Sequence, residues 1–127
     1  MVTTVGGFSG FSVDDVPAAL VFYRDTLGLD ARENEMGAID LRVGSTQVFI
    51  YPKGAAHAPA GYTVLDLVVP DIDAAADELA AAGIELERYE GMSQDERGIM
   101  RGRASGDGPD IAWFTDPAGN VIAILGE

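Results

Sequence analysis

Apolar and polar residues along this chain fall into two alternation patterns, one of period 2 and one of helical period, and both recur in the same order about 56 residues apart. Val13-Asp14-Asp15-Val16-Pro17-Ala18-Ala19-Leu20, running on to Leu27-Gly28-Leu29, is echoed by Val69-Pro70-Asp71-Ile72-Asp73-Ala74-Ala75-Ala76, running on to Ala82-Gly83-Ile84. Each copy predicts a strand, an acidic turn, an amphipathic helix stopped by glycine, and further strands. Two copies are too few to stack a solenoid core, so the pattern predicts one domain over residues 1–127 made of two paired modules. Module 1 covers about residues 5–52, a linker about 53–61, and module 2 about 62–127.

The first helix is expected from Val16 to about Leu27, with Asp15 as its N-cap and Pro17 in the first turn, where a missing N–H costs nothing. Val16, Leu20, Tyr23 and Leu27 form its apolar stripe, and Gly28 ends it. The second helix is capped by Asp71, buries Ile72, Ala75, Ala76 and Leu79, and stops at Gly83. Between the helices, residues 39–43 and 47–51 alternate and are joined as a hairpin by Gly44-Ser45-Thr46. Past the second helix, Leu86 to Glu90 is predicted as a strand. The Gly-rich stretch 91–109 follows as a functional loop or an irregular hairpin. Two strands, 111–115 and 121–125, close the chain around the Asp116-Pro117-Ala118-Gly119-Asn120 turn.

Composition narrows the partners. With 21 acidic against 8 basic residues and a formal net charge of −13, the chain would repel nucleic acid and anionic membranes. The absence of cysteine removes disulfides, thiolate ligands and thiol nucleophiles. No N-terminal stretch resembles a secretory signal and no apolar run is long enough for a membrane helix, so the expectation is a soluble, cytoplasmic protein.

The phrase Phe22-Tyr23-Arg24-Asp25-Thr26-Leu27-Gly28-Leu29 in the first half and Phe114-Thr115-Asp116-Pro117-Ala118-Gly119-Asn120 in the second, set in the doubled strand–helix–strands order, closely resembles the vicinal oxygen chelate superfamily. That superfamily holds glyoxalase I, extradiol dioxygenases, and fosfomycin and bleomycin resistance proteins. The resemblance implies an α+β fold of two βαβββ modules whose curved mixed sheets form a ligand cup, often at a dimer interface. Both phrases are read as structural: Tyr23 and Leu27 as helix core, the Asp-Pro-Ala-Gly-Asn run as a turn.

In metal-using members four strand side chains, usually His and Glu, hold a divalent ion. Carried over by offset from the capping aspartates, the first position of each module falls on Phe8 and Val64. The later positions fall on Phe49, with Ile50 or Tyr51 in a slipped register, and on Ala123. None offers imidazole or carboxylate. The lone histidine, His57, is read as a solvated linker residue. The expectation is a protein without metal or other cofactor.

Replacing ligands by Phe8, Phe49, Val64 and Ala123 makes the cup floor apolar and aromatic, suited to a flat organic molecule; alternatively these side chains fill it as core. By alternation, Ser12, Asp40, Arg42 and Asp66 share the cup face, and Tyr51, which a slipped register brings there, is counted with the ligand-binding residues. Asp66 interrupts an apolar strand and is expected either to meet a ligand, to act as a base, or to pair with Arg42, Arg101 or Arg103. Trp113 points at the ligand if Phe114 is core, the opposite register remaining open. Met92 and Met100 serve either as an adaptable lid or as anchors of the loop. The leading expectation is a homodimeric, metal-free protein binding a small aromatic or cationic, antibiotic-like compound. The alternative is an enzyme of the same superfamily with Asp66 as base or with an unrecognised metal site.

Overall fold

Strand β1 (Ser9–Val13) alternates as its sequence demands: Phe11 and Val13 are buried, Ser9 and Gly10 are exposed, and Ser12 is half-buried. The computed structural model describes residues 1–127 and divides into two compact units, Met1–Pro59 and Ala60–Glu127.

In the first unit, the Asp15 carboxylate accepts from the Ala18 amide at 3.0 Å and starts α1 (Val16–Leu20), with Pro17 in its first turn. The helix then widens into π-type turns over Val21–Thr26, where the Leu27 N–H donates to the Phe22 carbonyl at 2.9 Å. This widening alters the expected stripe. Val16, Ala19, Phe22 and Tyr23 are buried, whereas Leu20 and Leu27 are only half-buried. The wider turn brings the adjacent residues Phe22 and Tyr23 inward together, their rings meeting edge to face at 5.2 Å. Tyr23 also packs on Phe11 of β1, at 6.1 Å between ring centroids, tying the helix to the sheet.

Three strands follow, β2 (Asp30–Glu33), β3 (Ile39–Val43) and β4 (Thr46–Pro52). The sheet order is β1-β4-β3-β2, with β1 parallel to β4 and the other pairs antiparallel. Hydrophobic alternation does not announce β2, because only Ala31 in Asp30-Ala31-Arg32-Glu33 is apolar. It is an edge strand, recruited by pairing with β3. The β3–β4 turn is two residues long, with Thr46 already in the ladder opposite Val43. Gly44 takes φ +58°, as a hairpin turn with glycine at its first central position requires.

In the second unit, β5 (Thr63–Val69) leads to α2 (Ile72–Ala81), and β6 (Ile111–Thr115) and β7 (Val121–Gly126) complete a sheet of order β5-β7-β6. The Asp71 carboxylate caps α2 by accepting from the Asp73 and Ala74 amides at 3.0 and 3.1 Å. Ile72, Ala76 and Leu79 are buried; Ala75 is half-buried.

The strand expected at Leu86 to Glu90 does not form. Its backbone keeps one bond to the sheet, from Glu87 N–H to the Trp113 carbonyl at 2.7 Å. On its other side the Gln94 side chain stands where a strand's peptide would be. Its oxygen accepts from Tyr89 N–H at 2.8 Å, and its Nε2 donates to the carbonyls of Glu87 and Gly98 at 2.9 and 2.7 Å. One side-chain amide thus satisfies groups that a ladder would otherwise pair. Beyond it, Met100 exchanges two backbone hydrogen bonds with Ile111, and a short helix α3 (Gly102–Ser105) precedes β6. The stretch 91–109 is therefore an irregular hairpin rather than a free loop. No helix is long and apolar enough to cross a membrane.

Candidate ligand-binding site

The outward face of the first sheet carries the aromatic and charged residues, and the register arranges them in rows. Gly10, Phe49, Asp40 and Arg32 stand side by side across β1, β4, β3 and β2. One row along, Gln47, Arg42 and Asp30 do the same. Opposite charges face each other in both rows, Arg32 against Asp40 and Arg42 against Asp30.

A cavity of about 460 Å³ opens on this face, lined by Phe8, Asp40, Arg42 and Phe49 together with Asp30, Arg32 and Gln47. Phe8 and Phe49 form its aromatic side with ring centroids 6.1 Å apart and planes at 68°. Tyr51 extends the aromatic strip, stacked on Phe49 at 5.9 Å. Phe8 is 71% exposed, so it is not filling a core. Beside the cavity the Asn34 side chain closes a turn by accepting from the Met36 and Ala38 amides at 2.9 and 3.1 Å, and its Nδ2 reaches the Asp40 carboxylate at 3.3 Å.

Among the residues expected to bind ligand, Phe8, Asp40, Arg42 and Phe49 thus share one cavity, and Tyr51 adjoins through Phe49. Ser12 lies opposite Tyr51 in the β1–β4 register and faces a partner the sequence did not suggest. His57 is half-buried, not a solvated loop residue, and its Nδ1 lies 2.7 Å from Ser12 Oγ. Asp30, Arg32 and Gln47 were missed. Gln47 was recoverable, standing two residues before Phe49 on the same face; Asp30 and Arg32 were hidden with the unannounced β2.

The other five residues belong to the second unit. Asp66, Ala123 and Trp113 form one row across β5, β7 and β6. Asp66 is exposed, not buried, and makes no ion pair; the pairing with Arg101 is not made, because that guanidinium is held by other carboxylates. Ala123 is fully buried, and Trp113, 7% exposed, is covered by the Tyr89 ring edge to face at 5.5 Å. Burial, and secondarily the Glu87 carboxylate, pushes the Tyr89 phenol up from its ordinary value. Trp113 and Phe114 are both buried, so neither face of β6 is left open here. Val64 sits at a register irregularity between Thr63 and Leu65. Met100 is anchored by its backbone bridge to Ile111, which excludes a free lid at that residue.

Arg101 organises the rest of the second unit. Its guanidinium donates to both Asp73 oxygens at 2.8 and 3.0 Å and to Asp95 at 2.9 Å; Arg97 adds bonds to Asp73 and Asp77. The Arg101 hydrogen bond holds the Asp73 carboxyl below its ordinary range against the opposing effect of desolvation. For Asp95, partial burial pushes upward, but the Ile99 amide, the Arg101 guanidinium and the Arg97 amide together win and hold it low.

The vicinal oxygen chelate pattern implies a divalent ion. The positions that carry over to it hold Phe8, Phe49, Val64 and Ala123, and nowhere do three His, Cys, Asp or Glu side chains converge in an arrangement able to hold a metal. The donors present do not fit such an ion.

A strand–helix–strands unit repeated in one chain, with mixed sheets of four and three strands, defines an α+β protein of the paired-module class. The chain belongs to the Glyoxalase/Bleomycin resistance protein/Dioxygenase superfamily, whose family model matches residues 7–124. Among solved structures it is similar to a member of that superfamily from Sphaerobacter thermophilus, at 22% identity and TM-score 0.67, covering 97% of this chain and 98% of that one. It is also similar to a glyoxalase family protein from Enterococcus faecalis, at 24% identity and TM-score 0.65, covering 93% and 94%. A lactoylglutathione lyase from Agrobacterium tumefaciens is similar at 19% identity and TM-score 0.66, covering 98% and 94%. At these identities the likeness is one of fold. Among curated proteins none matches the chain.

Proposed function

We propose that this protein is a metal-independent binding member of its superfamily, akin to the bleomycin resistance branch, that as a homodimer sequesters a small, flat, antibiotic-like organic molecule. The observation that carries the reading is the cavity of about 460 Å³ sided by Phe8 and Phe49. That volume falls within the roughly 300–1,000 Å³ usual for small-ligand pockets. An exposed aromatic pair supplies buried area and ring contacts without chemistry. Sequestration needs neither an ion nor a nucleophile, which agrees with the apolar side chains at the superfamily's metal positions.

Native mass spectrometry of the protein purified without chelator tests the assembly and the cargo together. A dimer carrying an organic adduct supports the reading; a stoichiometric divalent ion overturns it. Phe8→Ala should leave stability within about 0.5 kcal/mol, as an exposed substitution does, while weakening capture of an aromatic ligand.

A second reading, an enzyme with Asp66 as general base, draws on one observation: the Asp66 carboxylate is exposed and has no ion-pair partner. It requires turnover of a carbonyl compound that Asp66→Asn abolishes without changing the melting temperature.

A further inference from the structure

The charges around the cavity are not equally engaged. On β2 the Asp30 carboxylate is taken by Arg32, whose Nε donates to it at 3.0 Å. Arg42 stands directly opposite Asp30 on the neighbouring strand, yet no carboxylate lies within 4 Å of its guanidinium, and it donates no hydrogen bond. In a chain with 21 acidic and 8 basic residues, a guanidinium inside a cavity and without an acidic partner is a distinctive feature. Its five donors form a planar fork whose natural complement is a carboxylate or another planar acid group.

Two residues along β3, on the same face, Asp40 offers the opposite charge. Its Oδ1 receives only the long 3.3 Å contact from Asn34. Along a strand, residues i and i+2 are separated by roughly 7 Å. On the neighbouring strand Phe49 stands opposite Asp40, and Gln47, two residues before it on the same face, stands opposite Arg42. Because Asp30 and Arg32 pair with each other, the charges of the cavity left for a ligand are Arg42 and the lightly engaged Asp40, beside an aromatic side.

Building on the proposed ligand-binding role, we infer that the ligand is an aromatic zwitterion. Its acid group lies on Arg42, its ring against Phe8 and Phe49, and its ammonium or hydroxyl donor on Asp40, about a strand repeat away. The acid end is the selective element. Against a field of net charge −13 an uncompensated anion is repelled, and a guanidinium free of internal partners is what makes its capture favourable. The donor end balances the second charge, so that neither Arg42 nor Asp40 faces a like-charged or apolar group.

The test uses four small probes on the full chain, followed by amide and side-chain NMR shifts in the millimolar range: 4-(aminomethyl)benzoate, benzoate, benzylamine and benzamide. The expected result is that the zwitterion binds tightest and benzoate exceeds benzamide by roughly fivefold, the scale of a solvent-exposed charge-assisted hydrogen bond. Arg42→Gln should erase the benzoate preference, so that benzoate binds no tighter than benzamide. Asp40→Asn should erase the advantage of the zwitterion over benzoate. If all four probes shift the Phe8 and Phe49 signals equally, or if Arg42→Gln leaves the ranking intact, the zwitterion assignment falls and the aromatic binding role stands. If none of the four shifts that face, both fall.

Discussion

His57 Nδ1 and Ser12 Oγ lie 2.7 Å apart, joining the only histidine of the chain to the outward face of β1. The contact draws the segment after β4 against the sheet. Lys53 N–H bonds to the Val13 carbonyl at 2.9 Å, and the turn Gly54–Ala56 ends at His57, whose N–H returns to the Gly54 carbonyl at 3.1 Å. The expected effect of Ser12→Ala is therefore local, about 1 kcal/mol, the net worth of one hydrogen bond. Hydrogen exchange should accelerate at the amides of Ala56 and His57 and stay unchanged in β3. A loss of protection spread evenly over the whole first unit would contradict this.

The second unit has its own fastening, and it depends on charge. Asp73 and Asp95 are both held below the ordinary value of 3.8, the first chiefly by its hydrogen bond to Arg101, the second against its own desolvation by Ile99, Arg101 and Arg97. A carboxyl lowered in the folded state stabilises fully above its unfolded value and ceases to do so as pH falls through the folded one. The irregular hairpin 91–109 should thus stay docked on α2 at neutral pH and loosen only below about pH 4. Because the side chains of Arg101 and Asp73 are 34% and 48% exposed, salt should weaken the contact as well. Thermal unfolding of Arg101→Gln against the wild type, in low and high salt, checks this. The melting temperature should be lower for the variant and the gap should shrink with added salt.

What could be read from sequence was what local pattern encodes. The capping aspartates Asp15 and Asp71 and the alternation of β1, β3 and β4 follow from rules spanning a few residues; their doubling implies two paired modules, and the α+β class follows from the resemblance to the superfamily. Alternation likewise places Asp40, Arg42 and Phe49 on one face. The rest depended on tertiary pairing. Strand β2 has one apolar residue and exists because β3 offers an edge; the segment after Leu86 alternates plausibly, yet its place is filled by the side chain of Gln94. Asp66 looked like a buried charge because its neighbours are apolar, but it stands on the open side of its sheet. His57 is separated from Ser12 by 45 positions, and no local pattern connects them.

Gly102 is constrained by space rather than by φ. A Cβ built there would lie 2.5 Å from the Pro109 carbonyl oxygen and 2.9 Å from that of Gly108, both backbone atoms that can yield only by moving the chain. Gly102→Ala should cost about 1–3 kcal/mol in urea unfolding, the usual range for overpacking. Gly6→Ala, with open space around it, is the control and should be neutral. Equal midpoints for the two variants would mean that the segment before β6 is loose enough to absorb a methyl group.

The turn between β6 and β7 depends on one buried carboxylate. Asp116, 5% exposed, accepts from the amides of Ala118 and Asn120 at 2.9 Å each and from the Asn120 side chain at 3.0 Å, while its own N–H donates to the Asn120 carbonyl at 2.9 Å. Asn120 is 2% exposed, so its side chain relies on protein partners rather than on bulk water. Asp116→Ala takes this acceptor from the buried Asn120 donors and the half-buried Ala118 amide and should cost about 2–4 kcal/mol. Asp116→Asn retains one oxygen for the two backbone amides but sets an NH₂ group against that of Asn120, so it should lose about half as much. The ordering wild type, Asn, Ala in chemical denaturation is the expected result. An Asn variant as unstable as the Ala variant would shift the weight to the Asn120 side-chain bond, because that is the contact both substitutions destroy.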